Sequence, residues 1–294
     1  MKLTFILFLF VSLLYAEPSQ DISYVTAPVR DITADSTIGE MSLSIVPSFE
    51  SSSLYVQYKN SFPANGCLVE YRKKGEATWS KGFPLYHEPK AKTFRGSLLS
   101  LNENTEYEVK LLLTKEDNEP FGTLQETFKT WTSSPPISQT IPVKELKKEA
   151  STLLIADQKN TSQAWVKIQG SGEVFDGGTT EEASITIQNC SYLILENIKV
   201  TGGKRYGIHL INCDNVRIIN CDIGNFGRAG VQDPKKEGKI FEPGEKEYIN
   251  YDPGIYIDQC SNTVVERCFI HDARGTANSW EFSHPAGPEA IVVR

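Results

Sequence analysis

Apolar and polar residues alternate in four short segments of the C-terminal half of the chain, separated by turn residues such as Asn, Asp and Gly. The segments begin at Ser184, Gly207, Gly230 and Gly254, at intervals of 23, 23 and 24 residues. So regular an interval is typical of repeat proteins, because a small unit cannot bury its apolar face alone and stacks on its neighbours. Alternation with a period of two predicts strands rather than helices. The pattern therefore predicts a solenoid of short β-strands.

Three of the four repeats continue beyond their first strand. Cys190, Cys213 and Cys260 occupy the same place in these repeats, and an apolar run follows each cysteine. Because alternate side chains of a strand point to opposite faces, one set of apolar residues must line the interior of the solenoid. That predicted set is Ile185, Ile187, Ile208, Leu210, Ile255 and Ile257.

With these strands and turns, residues from about 150 to 294 resemble the right-handed parallel β-helix of the pectate-lyase-like superfamily, with one rung per repeat, and residues 141–294 are the predicted β-helix domain. The chain ends inside the pattern, at Ala290-Ile291-Val292-Val293-Arg294. Repeat proteins normally cover an apolar terminal strand with a polar cap. We therefore expect the β-helix to be incomplete and the sequence to be a fragment of a longer protein.

Short alternating segments also occupy residues 40–132, and they predict a β-sandwich. Leu101, Thr105 and Tyr107 resemble the fibronectin type III pattern, in which the tyrosine hydroxyl makes a corner hydrogen bond; Glu103 replaces the usual proline. We expect Trp79 in the core of this domain. The predicted fold class is all-β, a fibronectin type III-like sandwich followed by a parallel β-helix. No catalytic role is assigned to the sandwich, and a glycan-binding role stays open.

Three segments are predicted to lie outside these domains. Residues 1–16 contain Lys2 followed by a short apolar run that ends at Tyr15-Ala16, a pattern typical of a cleaved secretion signal. The alternative is an uncleaved membrane anchor, but the run falls short of the ~20 residues a spanning helix needs. Residues 17–39 are predicted to be a leader or linker, and residues 133–140 a linker with consecutive prolines. The expected location is secreted, periplasmic or at the cell surface, with no membrane span after cleavage.

Charge and cysteine content narrow the class of protein. The net charge of −7 is spread without a basic block, so an interaction with nucleic acid or an anionic membrane has no electrostatic support. Six cysteines in a secreted chain suggest disulfides, but Cys190 and Cys213 are one repeat apart, and side chains in stacked rungs lie parallel rather than facing each other. We favour a ladder of buried thiols, and a Cys190–Cys213 bridge stays open as the alternative.

Stacking aligns the outward residues of successive first strands into columns. One predicted column is Thr186, His209, Gln232, Tyr256 and Val292; the next is Gln188, Ile211, Asp258 and Arg294. Two insertions, residues 233–252 and 271–289, flank this face. Long loops on a rigid scaffold commonly carry binding residues. The resemblance to the pectate-lyase-like superfamily implies a groove here that binds an extracellular polysaccharide.

The groups on this face fit two cleavage chemistries. A polysaccharide lyase needs a carboxylate-bound Ca²⁺ and a basic residue nearby, for which Asp252 and Asp258 are candidate ligands and Arg294 the candidate base. A hydrolase needs two carboxyl groups about 5 to 9.5 Å apart, and Asp252, Asp258, Asp272 and Glu289 supply no preferred pair. A surface ion pair is the alternative role for Asp258 with Arg294.

Other side chains have both a functional and a structural interpretation. His271 and Asp272 are candidates for a catalytic base and its orienting group, or for a cap that closes a rung by hydrogen bonding. His209 and Tyr256 are candidates for stacking on sugar rings, or for a ladder that only stabilises the sheet. The predicted catalytic residues are Asp258, His271, Asp272 and Arg294; the predicted substrate-binding residues are His209, Gln232, Tyr256, Arg274, His284 and Glu289.

The catalytic patterns of the better-defined members of the superfamily are missing from this sequence. It lacks the Asp-Asp and Gly-His-Gly motifs of polygalacturonase-like proteins and the dense Asp cluster of the calcium-dependent pectate lyases. Because fold does not decide function, two classes remain. We favour a secreted lyase or glycoside hydrolase, and the alternative is a non-catalytic surface adhesin or glycan-binding β-helix protein.

Overall fold

The structure, a computed structural model, describes residues 30–32, 41–59, 64–115, 119–147, 151–236, 238–246, 248–249, 252–275 and 287–294. The predicted secretion signal and His284 lie outside these residues. The described chain is almost entirely β, as predicted, and forms two compact units that divide between Trp131 and Thr132. Within the described ranges, no helix has the length and apolar character needed to cross a bilayer.

The first unit consists of two antiparallel sheets with the orders β1-β2-β3-β7-β6 and β5-β4-β8-β9. Leu54 and Val56 from one sheet and Val109 and Leu111 from the other belong to one buried cluster, so the sheets form a sandwich. The strands are β1 (Arg30–Ile32), β2 (Met41–Pro47), β3 (Ser52–Tyr58), β4 (Gly66–Lys73), β5 (Ser80–Lys81), β6 (Tyr86–Glu88), β7 (Thr93–Leu98), β8 (Glu106–Thr114) and β9 (Pro120–Lys129).

The predicted tyrosine corner is present in the sandwich. The Tyr107 hydroxyl accepts a hydrogen bond from the Asn102 backbone N–H at 2.8 Å, and Leu101 is buried nearby. The prediction that Trp79 lies in the core is wrong. Trp79 is only half-buried, and its ring packs against the Arg72 guanidinium at 4.3 Å and the Lys110 ammonium at 4.7 Å. Long basic side chains on the outer face of a sheet thus cover this indole.

Replacing Tyr107 by Phe should destabilise the sandwich by about 1 to 3 kcal/mol, because the Asn102 N–H would lose its acceptor. Hydrogen exchange of strands β4 and β8 measures this loss locally. Tyr71→Phe, on the neighbouring strand, is the control, since Tyr71 packs against the Tyr107 ring at 6.4 Å between centroids. Equal protection in both variants would show that the corner bond does not stabilise the domain.

The second unit is built from three parallel sheets, as a β-helix requires. Sheet I is β11-β14-β17-β22-β25, sheet II is β10-β12-β15-β18-β23 and sheet III is β13-β16-β19-β24. The first elements are β10 (Ile137–Pro142), α1 (Val143–Lys147), β11 (Leu153–Ala156), β12 (Trp165–Gln169), β13 (Val174–Asp176), β14 (Ala183–Gln188), β15 (Ser191–Glu196) and β16 (Lys199–Thr201). The later ones are β17 (Tyr206–Ile211), β18 (Asp214–Ile219), β19 (Asp222–Gly224), β20 (Val231–Asp233), β21 (Lys239–Phe241), β22 (Ile255–Asp258), β23 (Val264–Glu266), β24 (Phe269–Ile270) and β25 (Ile291–Val293).

The register of sheet I confirms the predicted interior. Ile185 pairs with Ile208, which pairs with Ile255, all in parallel. Each of the three is fully buried, and the Ile187, Leu210 and Ile257 row beside them is also buried. Stacked strands lie about 4.8 Å apart, so identical positions of successive rungs share one continuous apolar column.

One predicted repeat is not a rung. The segment that follows Gly230 forms β20, which pairs antiparallel with β21 in a hairpin, while β17 pairs directly with β22. Val231 is 68% exposed rather than buried. Three alternating residues suit a hairpin as well as a rung, and this segment lacks the cysteine and second apolar run of the others. Gln232 therefore lies outside the column that contains His209 and Tyr256.

The β-helix begins earlier than predicted. Strand β10 pairs in parallel with β12, so residues 137–140 of the expected linker belong to the first rung. Arg217, which is 4% exposed, donates hydrogen bonds to the carbonyls of Thr132 at 2.6 Å and Ser133 at 3.1 Å. The short helix α1 follows β10, and its Val143 is buried in the β-helix core. The segment before β10 is therefore attached to sheet II.

The repeated Asn-Cys pairs mark the corners between sheets I and II. Asn189 and Asn212 have positive φ angles of 53° and 50°, which asparagine tolerates better than most residues. The Asn212 side-chain amide donates to Asn189 at 2.9 Å, so the corner asparagines form a ladder. All six cysteines are free, and the backbone N–H of Cys213 donates to the Cys260 sulfur at 3.2 Å. The thiol ladder is confirmed and the Cys190–Cys213 bridge is not formed.

Candidate functional site

The outer face of sheet I carries three packed aromatic rings. Tyr206, His209 and Tyr256 have centroid separations of 4.8 Å, 4.7 Å and 5.0 Å for the pairs Tyr206–His209, Tyr206–Tyr256 and His209–Tyr256. The pairing of the strands in sheet I aligns Thr186, His209, Tyr256 and Val292, which is the predicted column without Gln232. We call the three rings the aromatic platform.

The sequence analysis missed Tyr206. Strict alternation places residue 206 on the same side as the inward-facing Ile208, yet Tyr206 stacks on Tyr256 outside. Gly207, next to Tyr206, is closely packed: a Cβ there would lie 2.5 Å from Ile223 Cγ2 and 2.8 Å from the Gly254 carbonyl. Only glycine fits that position, because two backbones and the core meet there. The recurrence of glycine at 207 and 254 was the available signal for this close packing.

His209 contributes an unpartnered nitrogen to the platform. Burial lowers the pKa of His209, and the nearby Asp258 only partly opposes that shift. Within the described part of the chain, its buried Nε2 has no hydrogen-bond partner. The imidazole is therefore neutral near pH 7, and Nε2 is open to a ligand donor or acceptor according to its tautomer.

Asp258 and Arg294 lie at the C-terminal end of the same strands. Asp258 follows Gln188 and Ile211 in the predicted second column, and Arg294 follows Val293, which pairs with Ile257. A hydrogen bond to the Tyr256 side chain raises the pKa of Arg294, with Asp258 adding to the effect. The guanidinium thus lies against the platform and brings a positive charge to its edge.

Asp252 does not fit the predicted metal site. It is 1% exposed, and Arg228 donates to its two oxygens from Nε and Nη2 at 2.8 Å each and from its backbone N–H at 3.0 Å. Arg205 Nε lies 3.5 Å from the same carboxylate. Both oxygens accept hydrogen bonds from Arg228, and two guanidinium charges surround the carboxylate, which disfavours a cation there. The described residues contain no cluster of three or more His, Cys, Asp or Glu suited to a metal, and the Ca²⁺ hypothesis has no site among them.

Glu289 lies at the other end of sheet I from Arg294. Its backbone carbonyl accepts from Gly254 N–H at 3.1 Å, which fixes it beside the start of β22. In the described ranges its buried Oε2 has no hydrogen-bond partner. Burial raises the pKa of the Glu289 carboxyl, and the negative charge of Asp252 raises it further. The predicted binding residue is therefore present at the edge of the face.

Arg274 is placed for a structural role rather than for sugar binding. Its guanidinium donates to the carbonyls of Gly227 at 2.7 Å, Gly178 at 2.9 Å and Gly203. These glycines belong to the corners of successive rungs, and burial lowers the pKa of Arg274. One side chain thus satisfies carbonyls from three turns of the helix, so these donors are not available to a substrate.

His271 and Asp272 are not brought to the aromatic platform. They follow β24, in sheet III, where the His271 ring nitrogens bond Asp222 Oδ1 and Asp272 Oδ2 at 2.7 Å each. The Asp222 hydrogen bond, together with that of Asp272, raises the pKa of His271. An imidazole held between two carboxylates donates from both nitrogens when protonated and has no free nitrogen to act as a base.

This arrangement predicts a pH-dependent contribution to stability. A histidine whose folded pKa is raised stabilises the fold below its unfolded pKa of about 6.5, and that contribution is lost as the pH rises through the folded value. His271→Gln should therefore lower the melting temperature at pH 5.5 and change it much less at pH 8.5. His87→Gln, in the sandwich, is the control, because burial lowers the pKa of His87. A pH-independent effect of His271→Gln would show that the hydrogen bonds of His271 with Asp222 and Asp272 do not raise its pKa.

A comparison with family models supports the β-helix fold of the second unit. A family model described as "right handed beta helix region" matches residues 159–287. No curated protein matches the chain. Among solved structures, the fn3 domain of the human collagen alpha-1(XX) chain shows 15% identity and a TM-score of 0.27, over 36% of this chain and 97% of that one. A family 76 glycoside hydrolase from a bovine Bacteroides thetaiotaomicron strain shows 13% identity and a TM-score of 0.26, over 30% of this chain and 20% of that one. The three parallel sheets of the second unit agree with this family description.

Proposed function

We infer that this chain is a secreted carbohydrate-active protein that binds an extracellular polysaccharide along the outer face of sheet I and cleaves it there as a hydrolase or a lyase. The aromatic platform supports binding, since the apolar faces of sugar rings pack against aromatic rings while their hydroxyls need polar partners. His209, Tyr256 and Arg294 supply an uncharged nitrogen, a ring face and a positive charge within a few side chains of one another.

The observation that carries this proposal is a buried nitrogen of the platform without a hydrogen bond, together with an unpaired carboxyl oxygen at the edge of sheet I. In the described part of the chain, His209 Nε2 and Glu289 Oε2 are buried and lack a hydrogen-bond partner, and Arg205 Nε has only its 3.5 Å ion pair with Asp252. Arg205 lies over the Tyr206 ring at 5.1 Å, and Tyr206 in turn contacts His209. Unsatisfied buried groups are rare in proteins and commonly mark functional sites. A sugar lying on the platform would bring hydroxyl groups to these atoms.

A polysaccharide panel tests the proposal with the purified full chain. Binding is measured by affinity electrophoresis, hydrolysis by new reducing ends, and elimination by the unsaturated product that absorbs in the ultraviolet. Binding without either product would favour the alternative, a non-catalytic surface adhesin, and the position of His271 away from the platform is the observation that favours it. Absence of binding to every glycan would contradict both functions.

Tyr256→Ala should weaken binding of the glycan so identified by about tenfold or more, because burying an aromatic side chain is worth roughly 1.5 to 3 kcal/mol. Tyr86→Ala is the matched control, since Tyr86 is a 61% exposed tyrosine in the sandwich. Equal affinity of the Tyr256→Ala variant and the unmodified chain would move the binding site off the platform.

A further inference from the structure

We propose that Glu289 is the proton donor of this site and that the bond it breaks is cleaved by hydrolysis. This inference rests on the proposed function and adds to it the catalytic acid and the type of reaction. Its basis is the position of one carboxyl group, at the end of sheet I where the chain enters β25, beside the buried Asp252–Arg228 pair.

Glu289 is distinguished from the other candidate carboxyls by what its oxygens contact. Both oxygens of Asp252 are held by Arg228, and the Asp272 carboxylate is bonded to the His271 ring. Asp258 is only partly buried, at the opposite end of β22. Glu289 Oε2 is buried and, within the described residues, unpartnered. It therefore has an oxygen that can carry a proton and present it to a ligand.

The surroundings of Glu289 favour the protonated form. Partial burial costs the carboxylate solvation of its charged form, a hydrogen bond from its own backbone N–H opposes that effect, and the neighbouring Asp252 adds a like charge. Arg228 neutralises part of the Asp252 charge through its bidentate pair, and Arg205 approaches the same carboxylate at 3.5 Å. Burial remains the larger cause and raises the pKa of Glu289 above the ordinary value of about 4.3. A glycosidic acid needs this state, because it must carry a proton when the substrate binds.

The proposed step balances without a metal or redox partner. The glycosidic C–O bond breaks as the Glu289 proton moves to the leaving oxygen. A water molecule adds its hydroxide to the anomeric carbon, and the proton that it releases restores the Glu289 carboxyl through solvent. The products are two sugar ends, of which one is a new reducing end.

Two measurements test this assignment. In the first, the full chain is labelled with ¹³C at the glutamate side-chain carboxyls and titrated by NMR, with Glu289→Gln used to assign the signal. One glutamate, absent from the variant, should titrate at higher pH than the rest. Glu245→Gln, which changes an exposed residue of the insertion before β22, is the assignment control and should leave the Glu289 signal in place. A Glu289 signal that titrates with the majority would overturn the proposal, whether or not any glycan is cleaved.

In the second, turnover is measured on the cleaved glycan. Glu289→Gln should lower kcat at least about 100-fold with a small change in KM and should remove the loss of activity at high pH. Substrates with an aryl leaving group, which departs without protonation, should retain far more of their rate in this variant. An unsaturated product, unchanged turnover in Glu289→Gln, or binding without cleavage would overturn the assignment while leaving glycan binding in place; absence of binding would contradict the proposed function itself.

Discussion

Replacing Ile208 by Asp should unfold the β-helix unit. Ile208 is fully buried, and its strand neighbours Ile185 and Ile255 are equally inaccessible to water. The carboxylate would enter a column of branched aliphatic side chains that offers no hydrogen-bond donor, so it would have to stay protonated or unfold the rung. The expected loss exceeds about 4 kcal/mol, a large part of the 5 to 15 kcal/mol that stabilises a typical domain.

Hydrogen exchange read peptide by peptide measures this effect in the full chain. Strands β14, β17 and β22 should lose their protection together, because each rung shares its core with the next. Thr186→Asp is the matched control, since Thr186 lies on the adjacent strand but faces outward and pairs with His209. Protection that survives in Ile208→Asp would mean that the register of sheet I is wrong.

The register of sheet I was predictable because two independent signals agreed. The interval between repeats aligned Ile185, Ile208 and Ile255, and the alternation within each repeat chose their side. The segment after Gly230 kept the interval and a short alternation by coincidence, yet it forms a hairpin. Alternation is shared by every β-strand, so three residues without a matching continuation do not separate a rung from an insertion. The segment after Gly230 lacks the cysteine and the second apolar run of the other repeats, and this difference already indicated that Gln232 lies outside the column.

The candidate site was only partly predictable, because its chemistry depends on contacts between distant loops. Placing His209 and Tyr256 together required only the register, and the structure confirms their contact. The partners of Asp252, Arg274 and His271 come from other rungs or insertions, and sequence spacing says nothing about them. These three residues have the polar side chains expected of catalysis, yet each is saturated by structural hydrogen bonds. Long polar side chains near a corner of the β-helix thus form hydrogen bonds with backbone carbonyls and buried charges, and these polar groups are then not available to a substrate.

Asp252→Ala should destabilise the β-helix by about 3 to 5 kcal/mol, because it would leave the Arg228 guanidinium buried without its counter-charge. The Arg228 side chain is 12% exposed and makes a bidentate pair with Asp252. Thermal unfolding and hydrogen exchange of β17 and β22 measure the loss. Glu245→Ala, an exposed acid in the same insertion, should change stability by less than about 0.5 kcal/mol.

The double variant Asp252→Leu with Arg228→Met tests whether Asp252→Ala destabilises the β-helix through an unpaired buried charge or through a change in the shape of the loop. Replacing both partners of a buried ion pair by apolar residues is often neutral, so this variant should recover most of the stability that Asp252→Ala loses. The double variant removes the like charge of Asp252 together with the opposite charge of Arg228, so it should change the pKa of Glu289 less than Asp252→Ala, which removes the like charge alone and should lower that pKa. A double variant as unstable as Asp252→Ala would show that the pair is needed for loop geometry; an unchanged Glu289 titration in Asp252→Ala would show that Asp252 does not act on that carboxyl.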